Sequence, residues 1–191
     1  MSSSLRDRRV LIGVTGGIAA YKVASVVSAL AQEGAEVTVL MTESATRFVT
    51  PLTFQSLSGR PVLTSAWESA EPRDPQHVAL ARRAEVVLVA PCSMDMLARL
   101  ATGQTPDVVS LVISAVDLTR QPVLLAPSMN AAMYGQPSTR RNLAQLRGDG
   151  FRIIEPGTGW QACRTEGVGR LPEPDELVTA LRAALADDEP G

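Results

Sequence analysis

Apolar, β-branched runs alternate with stretches of helical period along this chain, and that alternation predicts its elements. Arg9-Val10-Leu11-Ile12-Gly13-Val14 is apolar without a period of two and runs into Gly16-Gly17, the pattern of a strand covered on both faces entering a tight turn. Beyond the turn, Ala19, Val23, Val26, Val27 and Leu30 recur at helical spacing, and Gly34 closes that helix ahead of a second strand, Glu36 to Met41. Further strands are predicted over 86–90, 122–126 and 151–155, with helical stretches near 77–83, 93–101, 107–117 and 137–148 and a last helix over about 175–186. Strands and helices taken in turn predict an α/β fold built on a doubly wound parallel sheet. No internal repeat or low-complexity linker interrupts the pattern, and 187–191 reads as a short acidic tail expected to fray.

Composition narrows the classes of function. A chain of 191 residues with 45% hydrophobic content fits one domain, 1–191, with a well-buried core. Its net charge of −2 and sequence pI near 5.5 offer no electrostatic reason for a nucleic acid or anionic membrane partner, so a small molecule is expected. No apolar run reaches the roughly 20 residues of a bilayer span, and the polar stretch 1–9 lacks a signal-peptide core, which together predict a cytoplasmic protein. Cys92 and Cys163 show no Cys-x-x-Cys spacing and His77 is the one histidine, so neither a zinc site nor a disulfide framework is expected, and no metal.

In a doubly wound sheet ligands sit beyond the carboxyl ends of the strands, so the residues directly after each strand carry the chemistry. Thr15, Gly16 and Gly17 place small residues at a helix N-terminus, where backbone N–H groups can hold a phosphate or simply make a tight turn. Thr42 and Ser44 follow strand two, where an acidic residue would grip a dinucleotide ribose; hydroxyls there argue against NAD and suit a phosphate or ribityl chain, or helix caps. Two later strand ends both begin Ala-Pro, at 90–91 and 126–127, as two walls of one crevice would. Asn130, in the second, offers donors and an acceptor without charge, fit to hold a departing carboxylate or to cap a short helix through Met133. Cys92 reads as a small core residue, whereas Cys163 lies in the glycine-studded stretch 157–172, a flexible lid that presents either a working thiol or an incidental one. His77 is a surface or capping residue or, in an acid/base enzyme, the first candidate for proton transfer.

GVTGGIAAYK at 13–22, His77 ahead of AEVVLVAPCSMDMLARLATG, APSMNAAMY at 126–134 and GWQACRTEGVGRLPEP at 159–174, in this order, resemble the flavin-containing cysteine decarboxylases, in particular those acting on 4′-phosphopantothenoylcysteine. The likeness runs from about Arg9 to Pro174. It implies a Rossmann-like, flavodoxin-related fold in three α/β/α layers, bound FMN, and a homotrimer or a homododecamer of trimers with the site formed across a subunit interface. It further implies that the substrate's cysteine moiety is oxidised to a thioaldehyde, loses carbon dioxide to give an enethiolate, and is then reduced to 4′-phosphopantetheine. By position the resemblance assigns catalysis to His77 and Cys163, the latter as proton donor, and substrate contact to Asn130, Met133, Ala162 and Arg164. Cofactor contact falls to Thr15, Gly16, Gly17, Thr42, Ser44, Ser93, Met94, Asp95, Met96 and Ser128.

Four positions depart from the family pattern: Asp95 stands where asparagine is common, Ser128 for alanine, and Arg164 and Leu171 for the glycine and methionine flanking the lid. Relatives of other function are a peptidyl-cysteine decarboxylase that stops at the enethiol and lacks the lid cysteine, a prenylated-flavin synthase with a serine-rich first turn, and a non-catalytic flavoprotein regulator with a long acidic tail. Cys163, Thr15-Gly16-Gly17 and the short tail count against the three in turn. The synthetase that many bacterial relatives carry is expected on a separate chain.

Overall fold

In the computed structural model, which describes residues 5–67 and 76–187, five strands form one parallel sheet. They are β1 (Arg9–Val14), β2 (Glu36–Met41), β3 (Val86–Cys92), β4 (Val123–Pro127) and β5 (Arg152–Ile153), in the order β2-β1-β3-β4-β5. Alternate residues of β1 feed opposite faces. Val10, Ile12 and Val14 join the core under α1 (Ala20–Gln32), α3 (Pro51–Ser58) and α9 (Pro174–Asp187). Leu11 faces the other side, where α4 (Gln76–Arg83), α5 (Met94–Thr102), α6 (Val108–Ile113) and α8 (Pro137–Gly148) pack. Helices thus cover both faces, which explains why every residue of β3 is buried and why its sequence is a continuous apolar run.

Two short helices, α2 (Glu43–Thr46) and α7 (Ala131–Tyr134), turn the chain directly after β2 and β4. The sequence reading anticipates the sheet and most helices but not α2 or α3. The latter is delimited by local chemistry, with Pro51 in its first turn and Gly59 in the left-handed region (φ 67°) at its end. The stretch expected to be helical over 107–117 is regular only to Ile113; Asp107 fixes its start by accepting from the N–H groups of Val109 and Ser110. The strand expected over 151–155 pairs only through Arg152 and Ile153, at the sheet edge. The expected tail lies outside the described residues beyond Asp187.

From β1 the chain crosses to β2 on one side, and β3 lies on β1's other side. Connections therefore diverge above the carboxyl ends of β1 and β3 and leave a crevice there. A separate antiparallel hairpin, β6 (Gly157–Trp160) and β7 (Glu166–Arg170), forms in the segment read as a lid and packs β7 against α7.

Candidate active site

A cavity of about 580 Å³ opens at this switch point, within the roughly 300–1,000 Å³ of small-molecule sites. The turns after β1, β3 and β4 line it, and the β6–β7 hairpin supplies a further wall.

Thr15 holds the first two turns together. Its buried hydroxyl donates to the Pro91 carbonyl (2.6 Å) and accepts from the Ser93 N–H (3.0 Å), so it faces the protein and does not line the cavity. Thr15→Val would strand both groups, and a loss of about 1–3 kcal/mol is expected in urea unfolding. At Gly16 a side chain would meet Ser44, with Cβ atoms 2.5 Å apart, so glycine is required by the neighbouring turn. The N–H groups of Gly16, Gly17 and Ile18 have no acceptor among the described residues, and they precede the 13-residue α1. Free donors at the positive end of a helix form an anion site. Exposed Ser44 lies beside them, whereas Thr42 is occupied as the cap of α2, accepting from the Ala45 N–H at 3.3 Å.

After β3, Ser93 caps α5 through the Met96 N–H (3.2 Å) and lines the cavity with Met94. The next two expected cofactor positions turn elsewhere: Met96 is buried in the core, and Asp95 pairs with Arg99 at 2.9 Å. Arg99 also reaches Asp107 at 2.5 Å, so one guanidinium serves two carboxylates, and Asp95, which departs from the family's asparagine, makes its pair outside the cavity. Cys92 is fully buried, and burial pushes its thiol far above the ordinary range, as befits a core residue.

Asn130 takes the capping role open to it from sequence and keeps its other group on the cavity. Its Oδ1 accepts from the Met133 N–H (2.8 Å), capping α7, and this leaves the NH₂ without a partner among the described residues on the cavity wall. Ser128 lines the same wall, with its N–H bonded to the Cys92 carbonyl at 3.1 Å, and Met133 stands beside it.

Cys163 sits at the tip of the hairpin, exposed and on the cavity wall with Ala162. Its Sγ lies 3.0 Å from Thr165 Oγ1 and 3.7 Å from Gln161 Oε1. Arg164 closes the turn in the left-handed region (φ 64°), its N–H donating to the Gln161 carbonyl, and it does not line the cavity. A glycine is natural there because a Cβ in that region costs about 1–2 kcal/mol. Arg164→Gly is expected to raise stability by up to about 1 kcal/mol, once glycine's extra chain entropy is deducted, read as a higher Tm.

Sequence reasoning missed the cationic wall. Lys22, nearly buried on α1, bonds Glu173 at 2.9 Å, and Arg170 meets the same carboxylate at 2.7 Å. These bonds, that of Lys22 first, hold the Glu173 carboxyl below its ordinary range. The available signal was a lysine set beside Val23 in the apolar stripe of α1, where a charge needs a partner. Trp160 and Gln161, also on the wall, carried no local signal. His77, half-buried in the first turn of α4, does not line the cavity.

A parallel β2-β1-β3-β4-β5 sheet with a donor-lined cavity at the switch point defines a nucleotide- or flavin-type α/β protein. The Flavoprotein family model matches residues 1–186, and the chain belongs to that family. It is 41% identical over 184 residues to the coenzyme A biosynthesis bifunctional protein CoaBC of Bacillus subtilis, covering 96% of this chain and 45% of the relative. The chain thus spans less than half of that relative's length. Among solved structures, the FMN-dependent cysteine decarboxylase SpaF superimposes with a TM-score of 0.82 at 30% identity, over 95% of this chain and 99% of the other. A PPC decarboxylase mutant complexed with pantothenoylaminoethenethiol gives 0.82 at 29%, over 93% and 98%.

Proposed function

We propose that this chain uses FMN to decarboxylate 4′-phosphopantothenoylcysteine, giving 4′-phosphopantetheine in coenzyme A biosynthesis. The observation that carries the reading is the meeting, on one cavity, of the Cys163 thiol, the unpartnered Asn130 NH₂ and the N-terminus of α1. The residues present fit the cofactor: the open N–H groups of Gly16, Gly17 and Ile18, with Ser44 beside them, would hold its phosphate, and Ser93, Met94 and Ser128 would line the rest.

When bound, FMN would supply the reversible two-electron sink that an ordinary α-amino carboxylate lacks. Asn130 holds the carboxylate through neutral N–H donors, which orient it without the ground-state stabilisation that a full positive charge would add. Lys22 and Arg170 make the wall cationic toward an anionic substrate. Cys163 delivers the proton that accompanies reduction of the enethiolate.

A second copy is proposed to complete the site, in a trimer or a dodecamer of trimers. Support comes from His77 lying off the cavity and from apolar side chains exposed on its wall: Ile18 at 57%, Tyr21 at 60% and Trp160 at 63%. The synthetase activity of the bifunctional relatives is proposed to lie outside these 191 residues, and the site to work in the cytoplasm.

The test is to purify the protein, record its visible spectrum and follow 4′-phosphopantothenoylcysteine by mass. Flavin absorbance with conversion to 4′-phosphopantetheine is expected. A colourless protein, or one that decarboxylates only a peptide ending in cysteine, overturns the reading.

A further inference from the structure

The hairpin bearing Cys163 is exposed along most of its length, yet Gln161 within it is 8% exposed. A carboxamide withdrawn from water in an otherwise wet segment must find its partners in the protein. Gln161 finds them in three directions. Its Oε1 accepts from the Ala131 N–H at 3.1 Å, next in the chain to Asn130. Its Nε2 donates to the Val168 carbonyl at 3.0 Å and faces those of Gly167 (3.4 Å) and Met129 (3.5 Å). The same Oε1 lies 3.7 Å from Cys163 Sγ.

One side chain therefore touches the segments that carry Asn130 and Cys163, and one oxygen atom meets a group from each. The backbone around it is drawn in to match. Met129 N–H bonds the Gly169 carbonyl at 3.0 Å, and a Cβ on Gly169, whose φ is 131°, would lie 2.1 Å from the Met129 carbonyl oxygen. A Cβ on Gly167 would lie 2.7 Å from that of Ala131. These two glycines are required by close approach, not by hinge motion, so the hairpin is docked against the Asn130 loop.

We propose that Gln161 is a positioning residue that fixes the Cys163 thiol relative to the Asn130 carboxamide, so that proton delivery meets the substrate where its carboxylate was held. This rests on the decarboxylase reading above. Loss of the carboxamide frees the hairpin while leaving the Asn130 cap and the N-terminus of α1 in place. In air, where dioxygen takes the two electrons left on the flavin and returns it to the oxidised form, carbon dioxide release then continues, and completion of the reduction fails.

The experiment uses the flavin-loaded oligomer of Gln161→Met, which keeps the length and loses every hydrogen bond, and of Gln161→Glu, which keeps the acceptor oxygen and loses the donors. Carbon dioxide release and reduced product are measured separately. For Gln161→Met the ratio of reduced product to carbon dioxide is expected to fall roughly tenfold or more, with carbon dioxide release within about threefold of the unsubstituted protein. Gln161→Glu is expected to lie between the two. A fall in both halves together, or an unchanged ratio in both variants, overturns the proposal.

A second readout needs no turnover. In a Trp67→Phe background Trp160, next to Gln161, is the remaining tryptophan, and its fluorescence anisotropy should drop in Gln161→Met. Unchanged anisotropy overturns the docking even where the unsubstituted protein proves to have another substrate.

Discussion

Assayed in air, so that dioxygen reoxidises the flavin left reduced, Cys163→Ser is expected to release carbon dioxide at close to the normal rate while forming at least about 100-fold less 4′-phosphopantetheine, with the oxidised enethiol accumulating in its place. The groups proposed for the first half-reaction, the Asn130 NH₂ and the free N–H row at 16–18, are left in place by this change. Serine has nearly the same size at a turn held by backbone bonds between Gln161, Arg164 and Thr165, so the hairpin should persist. An alcohol is a far weaker acid than a thiol, and the proton that must reach the enethiolate then lacks a donor. Cys92 cannot substitute, since it is fully buried. Liquid chromatography with mass detection of both species checks the outcome, and normal yield of reduced product from Cys163→Ser would refute the assignment.

His77→Asn is expected to lower carbon dioxide release by about 10²–10⁴-fold while the protein keeps its yellow flavin. The cofactor should stay because His77 does not line the cavity that would hold it. That same placement predicts complementation. If the cavity of one subunit meets His77 of another, co-expressing His77→Asn with Asn130→Ala regenerates one intact kind of site. Random mixing should restore about a quarter of normal turnover, since both unsubstituted groups meet at that fraction of interfaces. Each variant alone should remain inactive. No recovery in proven mixed oligomers would place both residues in one subunit, and near-normal turnover by His77→Asn would mark the histidine as structural.

How far the site was legible varies residue by residue. Asn130, Met133, Ala162, Cys163, Gly16, Gly17, Ser93, Met94 and Ser128 line the cavity, and all follow a strand end or fall in the glycine-rich stretch read as a lid. Thr15, Thr42, Asp95 and Met96 stand at equally suggestive positions and turn their side chains to local structure: a bridge to Pro91 and Ser93, a helix cap, an ion pair with Arg99 and the apolar core. Position after a strand selects a turn, but within a helical first turn successive side chains point some 100° apart, so neighbours differ in what they reach. Arg164 departs from the family's glycine, and the structure supplies the reason for that glycine in the left-handed backbone of the turn.

Local chemistry alone determined the repeating strand and helix units, because burial on two faces demands continuous apolar strands and on one face a helical stripe. It also determined which turns lie at the carboxyl ends, and with them Asn130 and Cys163 as candidates. Tertiary structure decided what those candidates can do. Strand order places the turns after β1, β3 and β4 around one cavity, a matter of pairing between residues more than 70 positions apart such as Val10 and Val86. The β6–β7 pairing and the Gln161 carboxamide turn a glycine-rich stretch into a docked arm, and Glu173 joins Lys22 to Arg170 across 151 positions of chain. Contacts of that separation leave at most half a pattern: Lys22 in the apolar stripe of α1 shows that a charge needs a partner, but nothing local says that the partner is Glu173.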